Sequence, residues 1–319
     1  MTEPHRIAGS TVVVTGGCGF IGSHLVSALA ARGARRVVVI DSLRYGKPQN
    51  LEAGLPVEVV KHDLGFGDVA ELERACAGAD YLFHLAAEKH NQSKDDPTRV
   101  LRANVEGTAA LLGAACRAGV RKVLFTSSLY AYGRLSGPPM VESEHPHPST
   151  VYGISKLTGE HLTAFFARQH GIDFVTLRYF FVYGPRQFAG TGYKSVIVKS
   201  FERLLSGSAP IVNGDGQQAL DYIFVDDAVE ATCRALESPV SGELFNVGSG
   251  VATSVRDLVA AITRVSGKPA GVEAGPADWT AGSSRVGNVA KIRDSLGFVA
   301  TTSLEQGLTA TLRWLEASS

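Results

Sequence analysis

Short apolar runs and helical periodicities alternate along the first half of the chain. Thr11–Thr15, Arg36–Asp41, Val57–Lys61, Tyr81–His84, Lys122–Ser127 and Phe174–Arg178 are brief and rich in Val, Ile, Leu and Phe. Unbroken runs of this kind are the pattern of strands buried on both faces. Between them, Ile21–Arg32, Asp68–Cys76, Pro97–Ala118 and Val151–His170 carry helical spacing. Strands alternating with helices predict an α/β fold, a Rossmann-type doubly wound parallel sheet.

Beyond Arg178 the pattern loosens. It predicts helices at Ser195–Leu205, Asp226–Leu236, Ser254–Ser266 and Leu304–Glu316, and strands at Leu220–Val225 and Leu244–Val247. A Gly-rich loop separates the last two helices. The expected organisation is a nucleotide-binding domain from residues 1–178 with about 219–247. A smaller C-terminal α/β substrate lobe comprises about 179–218 with 248–319, and a cleft lies between the two.

The glycines sharpen this reading. Thr11-Val-Val-Val-Thr15 runs directly into Gly16-Gly-Cys-Gly19-Phe20-Ile21-Gly22 and then a helix. Gly16, Gly19 and Gly22 form G-x-x-G-x-x-G in the strand–turn–helix context that makes it a dinucleotide fingerprint. The glycines allow close backbone approach to a pyrophosphate, which then meets the amides at the helix N-terminus, around Phe20 and Ile21. Asp41 ends the second predicted strand about 20 residues past Gly22, where an acid accepts ribose hydroxyls and repels a 2′-phosphate. That favours NAD over NADP, although Arg44 nearby is a cation able to meet a phosphate.

Tyr152 and Lys156 lie four residues apart within a predicted helix, so both side chains face one side. A free tyrosine titrates near ~10, and a neighbouring ammonium stabilises its phenolate. Alone the pair is a common surface pattern; beside a nucleotide fingerprint it is a candidate hydride-transfer site.

Composition narrows the partners. Across 319 residues, 31 basic side chains balance 31 acidic ones, which gives no electrostatic case for nucleic acid or an anionic membrane. The N-terminus lacks an apolar leader and no run approaches about 18 apolar residues, so no membrane association is expected. Cys18, Cys76, Cys116 and Cys233 are widely spaced, as in a reducing compartment, and a cytoplasmic location is expected. His145-Pro146-His147 reads as a solvated loop, and no metal site is expected.

Taken together, these motifs resemble the extended short-chain dehydrogenase/reductase family, in its NAD-dependent epimerase/dehydratase branch. Further matching segments are Asp63-Leu64, Phe83-His-Leu-Ala-Ala87, Asn104, Thr126-Ser-Ser128, Arg178-Tyr-Phe, Tyr183-Gly-Pro-Arg186, Gly214-Asp-Gly216, Asp221-Tyr-Ile-Phe-Val-Asp-Asp227 and Phe245-Asn-Val-Gly248. The resemblance implies that Asp63 and Leu64 sit by the adenine. Leu85, Ala86, Ala87 and Asn104 belong to the cofactor site. Ser128 acts beside Tyr152, and Lys156 bonds the nicotinamide ribose and lowers the tyrosine pKa. It also implies a homodimer that pairs Pro97–Ala118 and Val151–His170 across a four-helix bundle.

The family's shared opening step is oxidation of a sugar alcohol by bound NAD. Dehydratases of this branch carry Asp-Glu directly after the catalytic threonine, where this chain has Leu129 and Tyr130. Decarboxylases typically place a glutamate where Tyr130 stands. A 4-epimerase needs only Tyr152, Ser128 and held NAD, so a nucleotide-sugar 4-epimerase resembling UDP-glucose 4-epimerases is the first expectation. The alternatives are another sugar-modifying member, using Glu88, Lys89, His90 or Tyr130 for extra proton transfers, or a non-catalytic NAD-binding regulator.

Three positions that grip the nucleotide diphosphate in the family are altered. Phe181 replaces an asparagine, Leu220 replaces an arginine, and an arginine near Asp278 gives way to Trp279. The substrate, expected to be an NDP-sugar, would then rest on Glu88, Ser128, Tyr130, Phe181, Arg186, Lys194, Leu220 and Arg285, with Lys199 nearby. Arg285 is the leading displaced phosphate clamp.

Overall fold

A computed structural model describes residues 5–133, 137, 139–187, 194–268, 271–277 and 282–318. The strands are β1 (Thr11–Thr15), β2 (Arg36–Asp41), β3 (Val57–Lys61), β4 (Tyr81–His84), β5 (Lys122–Ser128), β6 (Asp173–Tyr179), β7 (Phe181–Tyr183), β8 (Ile211–Asn213), β9 (Ala219–Phe224), β10 (Glu243–Val247), β11 (Ala252–Ser254), β12 (Glu273–Gly275) and β13 (Ser284–Arg285). The helices are α1 (Phe20–Ala31), α2 (Val69–Cys76), α3 (Gln92–Asp95), α4 (Pro97–Leu101), α5 (Gly107–Arg117), α6 (Val151–His170), α7 (Val196–Leu205), α8 (Val225–Glu237), α9 (Val255–Ser266), α10 (Ala290–Leu296) and α11 (Leu304–Ser318).

Seven strands form one parallel sheet in the order β10-β6-β5-β4-β1-β2-β3. Every residue of β1, β4 and β5 is buried, which is why their centres are apolar, with polar residues at the strand ends. One face packs α1 and α8 through Leu25, Val26, Leu29, Ala231 and Leu236. The other packs α2, α5 and α6 through Leu72, Leu111, Leu112 and Ala167. Strand order reverses between β1 and β4, so the crevice beyond their C-terminal ends is the dinucleotide position of such sheets.

Helix α6 spans the residues expected of it because both ends are capped. The Thr150 hydroxyl accepts from the Gly153 amide at 3.0 Å, and Gly171 stops the helix with φ +64°. At Gly159 the helix touches β5 closely; a Cβ there would lie 2.4 Å from the Phe125 ring. This contact carries the N-terminal turns of α6, with Tyr152 and Lys156, over the end of β5 at Ser128.

The helix expected at Pro97–Ala118 is interrupted. Between α4 and α5, Arg102–Glu106 form a π-helical turn, which leaves the apolar periodicity intact and so is invisible to it. The smaller lobe differs more. Strand β9 pairs with β7, β11 and β13, so residues 219–224 join the smaller sheet although they were expected with the large one. β10 joins the large sheet, and α8 and α10 pack against it, the latter through Ile292. Strands β8 and β12 form a separate parallel pair, and α10 occupies part of the expected Gly-rich loop. No helix among the described residues is long and apolar enough to cross a membrane.

Candidate active site

The glycine turn closes tightly at the end of β1. Gly16 has φ +72°, and a Cβ on it would lie 3.0 Å from the Ala86 backbone. A Cβ on Gly22 would lie 2.1 Å from the Gly16 carbonyl, so α1 starts where it does only because Gly22 has no side chain. The Asp41 carboxylate accepts from the Cys18 amide at 3.0 Å and the Leu43 amide at 2.9 Å. Leu43 adopts φ +58° to present that amide. Burial pushes the Asp41 pKa up, and the two amide bonds oppose it. An acceptor is thus fixed beside a phosphate-sized backbone cradle, and the residues present fit a dinucleotide.

Beneath the cradle, the Thr15 hydroxyl accepts from the Leu85 and Ala86 amides, both at 3.1 Å, and meets His84 Nδ1 at 2.7 Å. His84 Nε2 meets the Thr108 hydroxyl at 2.8 Å. Burial, aided by the Lys156 charge, lowers the His84 pKa to about 3, so the ring is a neutral spacer. This support for Leu85–Ala86 was not singled out by motif, since buried threonines and histidines carry no distinctive spacing.

Asn104 sits in the π-helical turn, and its amide is used by protein. Its Oδ1 accepts from the Glu88 amide at 2.7 Å, while Nδ2 donates to the Glu88 carbonyl and the Ser155 hydroxyl, each at 3.0 Å. It therefore staples the segment after β4, which follows Leu85–Ala87, to α6.

Around Tyr152 the rings converge. Tyr130 stands edge-on to Tyr152 with centroids 5.6 Å apart. His90 stacks on Tyr130 at 4.5 Å and meets the Tyr152 ring edge-on at 6.3 Å. The Arg285 guanidinium lies 5.8 Å from the Tyr130 centroid, and both line a small cavity with Leu129, Gly133, Ser149 and Thr150. Burial raises the Tyr152 pKa to about 12, and the Ser128 hydroxyl opposes the rise. Lys156, 3% exposed, lies 4.6 Å from the Phe125 ring. Burial lowers its pKa to about 8, against the pull of Glu160.

Several expected substrate residues are placed elsewhere. The Glu88 carboxylate is engaged by arginines: Oε1 accepts from Arg99 Nε at 2.7 Å and lies 3.5 Å from Arg44 Nε. Arg99 also reaches Asp63 at 2.5 Å, so Glu88 belongs to the charge cluster at the Asp63 end of the crevice. Leu64 lies buried against α5, its Cβ where a side chain on Gly107 would go. Arg186 takes φ +64°, which directs its guanidinium to Glu52 at 3.2 Å, beside α1. The Lys194 ammonium is held by both oxygens of Glu202, each at 2.6 Å. No contact among the described residues links either cation to the Tyr152 group. Leu220 is buried with Phe201 and Leu258, and Phe181 packs against Tyr222 with centroids 5.9 Å apart. Asp278 and Trp279 lie outside the described residues.

Comparison with known proteins agrees with this geometry. Residues 12–248 match the NAD dependent epimerase/dehydratase family. The chain belongs to that family. It is thus an NAD-using enzyme of the extended short-chain dehydrogenase/reductase type. It is 37% identical to a UDP-glucose 4-epimerase of Mycolicibacterium smegmatis over 96% of this chain and 99% of the relative. It is also 33% identical to a dTDP-glucose 4,6-dehydratase of Streptomyces griseus, over 95% of this chain and 93% of the relative. A solved UDP-glucose 4-epimerase of Thermotoga maritima, in complex with UDP-glucose, superposes with a TM-score of 0.90. It shares 34% identity and covers 97% of this chain and 99% of its own. The family's relatives differ in reaction, so the choice among them rests on this chain's own residues.

Proposed function

We propose that the protein is an NAD-dependent nucleotide-sugar 4-epimerase. Bound NAD supplies reversible oxidation of the sugar C4 alcohol to a ketone, and reduction from either face gives the two epimers. Gly16, Gly19, Gly22, Phe20 and Ile21 cradle the pyrophosphate through backbone amides. Asp41 accepts the adenosine ribose hydroxyls, and the backbone of Leu85–Ala87 borders the nicotinamide end.

Tyr152 takes the C4 hydroxyl proton and returns it, while Ser128 hydrogen-bonds the same oxygen. Lys156 places a cation one helical turn from the phenol and favours its ionised form against burial. Arg285, over Tyr130, anchors the diphosphate of the substrate in place of the missing arginine at position 220.

One observation carries the choice of reaction. The residue after Ser128 is Leu129, buried in an apolar cluster with Tyr132, Met140 and Phe180, and Glu88 is held by Arg99. Epimerisation needs a single proton-transfer residue, whereas water loss needs additional acid and base groups near the sugar. A second reading, another sugar-modifying reaction of this family, draws support from the His90–Tyr130 stack beside Tyr152, which offers two further titratable groups. Incubation of the purified protein with UDP-glucose or UDP-galactose, without added cofactor, tests this. Interconversion at constant mass supports epimerisation, and loss of water or carbon dioxide selects the second reading.

Substrate would be gripped by a lobe of residues 179–224 and 248–319, with α8 and β10 left to the cofactor domain. We read the protein as a cytoplasmic homodimer. Its four cysteines are free thiols, which suits a reducing compartment. Ile154, Thr158, Leu162 and Phe165 form one outer stripe of α6, with Ile154 and Phe165 well exposed, as is Leu101 on α4.

A further inference from the structure

One turn beyond Lys156 on α6, Glu160 carries a carboxylate that is 8% exposed. Arg178 on β6 meets it as a fork, Nε to Oε1 at 2.8 Å and Nη2 to Oε2 at 2.7 Å. The Ser127 hydroxyl, next to Ser128, donates to Oε1 as well. The guanidinium lies 4.2 Å from the Tyr132 centroid, and the Tyr132 hydroxyl donates to Asn246 Oδ1 at 2.7 Å. Carboxylate and guanidinium are thus locked in one geometry behind the site.

Stability alone is a poor reason for such a pair. Desolvating two charges costs about as much as their attraction returns, and apolar replacements of buried pairs are often neutral or better. Its position supplies another reason. The groups facing Lys156 are Tyr152 and Glu160 on its own helix, His84 on β4, and Arg178 on β6 acting through Glu160. His84 is neutral, so Glu160 is the anion nearest the ammonium along α6. A charge so deeply buried is costly unless it is paired and hydrogen-bonded. The Arg178 fork supplies both.

We propose that Glu160 and Arg178 are positioning residues for Lys156: the fork fixes the Glu160 carboxylate one helical turn behind the ammonium, and that carboxylate holds Lys156 as a cation facing the phenol of Tyr152. This rests on the role assigned to Lys156 above. Removing the Glu160 charge leaves Arg178 unopposed, and both changes favour the neutral amine.

The test is the pH dependence of kcat/KM in NAD-loaded Glu160→Gln, where a carboxamide keeps an acceptor for Arg178 without the charge. The alkaline limb should move about one unit lower, so that turnover near pH 8 falls roughly tenfold while turnover near pH 6 changes little. Glu160→Gln combined with Arg178→Met removes both charges and should bring the limb back toward the native position. It also guards against misfolding of the single variant. An unmoved limb, or a loss uniform in pH, would overturn the proposal, as would a double variant no closer to native than Glu160→Gln. Lys156→Ala separates the two levels: if it retains full turnover, the role of Lys156 fails first. If it is inactive and the Glu160→Gln limb stays put, only the clamp fails.

Discussion

Arg285 on β13 is the direct register partner of Leu220 on β9. Partners on neighbouring strands project to the same side of the sheet. A cation at 285 therefore emerges beside the place where the family carries an arginine and this chain has a buried leucine. Asp221, adjacent to Leu220, accepts from the Gly287 amide at 3.2 Å and from the Ser249 amide at 2.7 Å, which pins the turn that follows Arg285. If Arg285 is the clamp, as proposed, it sits one strand across from position 220 and is braced by the next residue of the same motif.

Replacement of Arg285 by alanine should raise KM for the nucleotide sugar and Kd for UDP by roughly ten- to 150-fold, the worth of a charged hydrogen bond. The maximal rate should change much less. Calorimetric titration with UDP reads the effect without catalysis, and unaltered UDP affinity would leave the diphosphate without this anchor.

Lys156 makes a stability prediction opposite to its activity. Burial lowers its pKa from the ordinary 10.5 to about 8, so at neutral pH the folded protein holds a charge that burial disfavours. Between about pH 8 and 10.5 the unfolded chain binds more protons at this site than the native state. The contribution of Lys156 to stability therefore rises with pH across that window. Lys156→Met should abolish turnover and yet raise the melting temperature of the NAD-free protein at pH 7, with the gain shrinking toward pH 10. A lower melting temperature at pH 7 would refute it.

The dimer reading concentrates on one side chain. Phe165 is 57% exposed on α6, beside the half-buried Phe166 whose ring it meets at 5.6 Å. An aromatic so open invites burial against a second copy. Phe165→Arg should convert the protein to monomers in sedimentation at micromolar concentration without changing its circular dichroism. A native protein that already sediments as a monomer would end this reading.

β1, β2 and β4 fall on the residues expected because strands buried on both faces are rich in apolar residues; β3 also falls where expected, on its valines, although it is the half-exposed edge strand of the sheet. Helix α6 was legible because Thr150 and Gly171 mark its ends. The smaller lobe was not: β8, β11, β12 and β13 are two or three residues each, too short for any period, and β9 changes sheet without a change in sequence pattern. In the site, Ser128 hydrogen-bonds Tyr152, Lys156 follows one turn along α6, and the glycine turn closes at the end of β1. Arg285 was singled out and Arg186 included beside it, but spacing does not encode which way a long side chain faces, and Arg186 turns to Glu52. Glu160 was within reach, being one turn beyond Lys156, but its meaning depends on Arg178, which tertiary contact alone brings near.

Glu88 offers the sharpest discrimination between epimerisation and chemistry that needs a further carboxylate. Its Oε1 is taken by Arg99, its amide and carbonyl are held by Asn104, and Oε2 is buried without a hydrogen-bond partner among the described residues. A carboxylate so constrained joins the segment after β4 to Arg99 and Arg44, and on the epimerase reading it takes no part in proton transfer. Glu88→Gln should therefore reduce kcat by less than about tenfold, while removal of a true general acid or base typically costs about 10²–10⁴-fold. Because Arg99 loses an anionic partner, the same variant should release NAD faster, measurable as loss of cofactor absorbance on repeated gel filtration. Collapse of turnover with NAD fully retained would instead mark Glu88 as a proton-transfer group and move the reaction toward elimination.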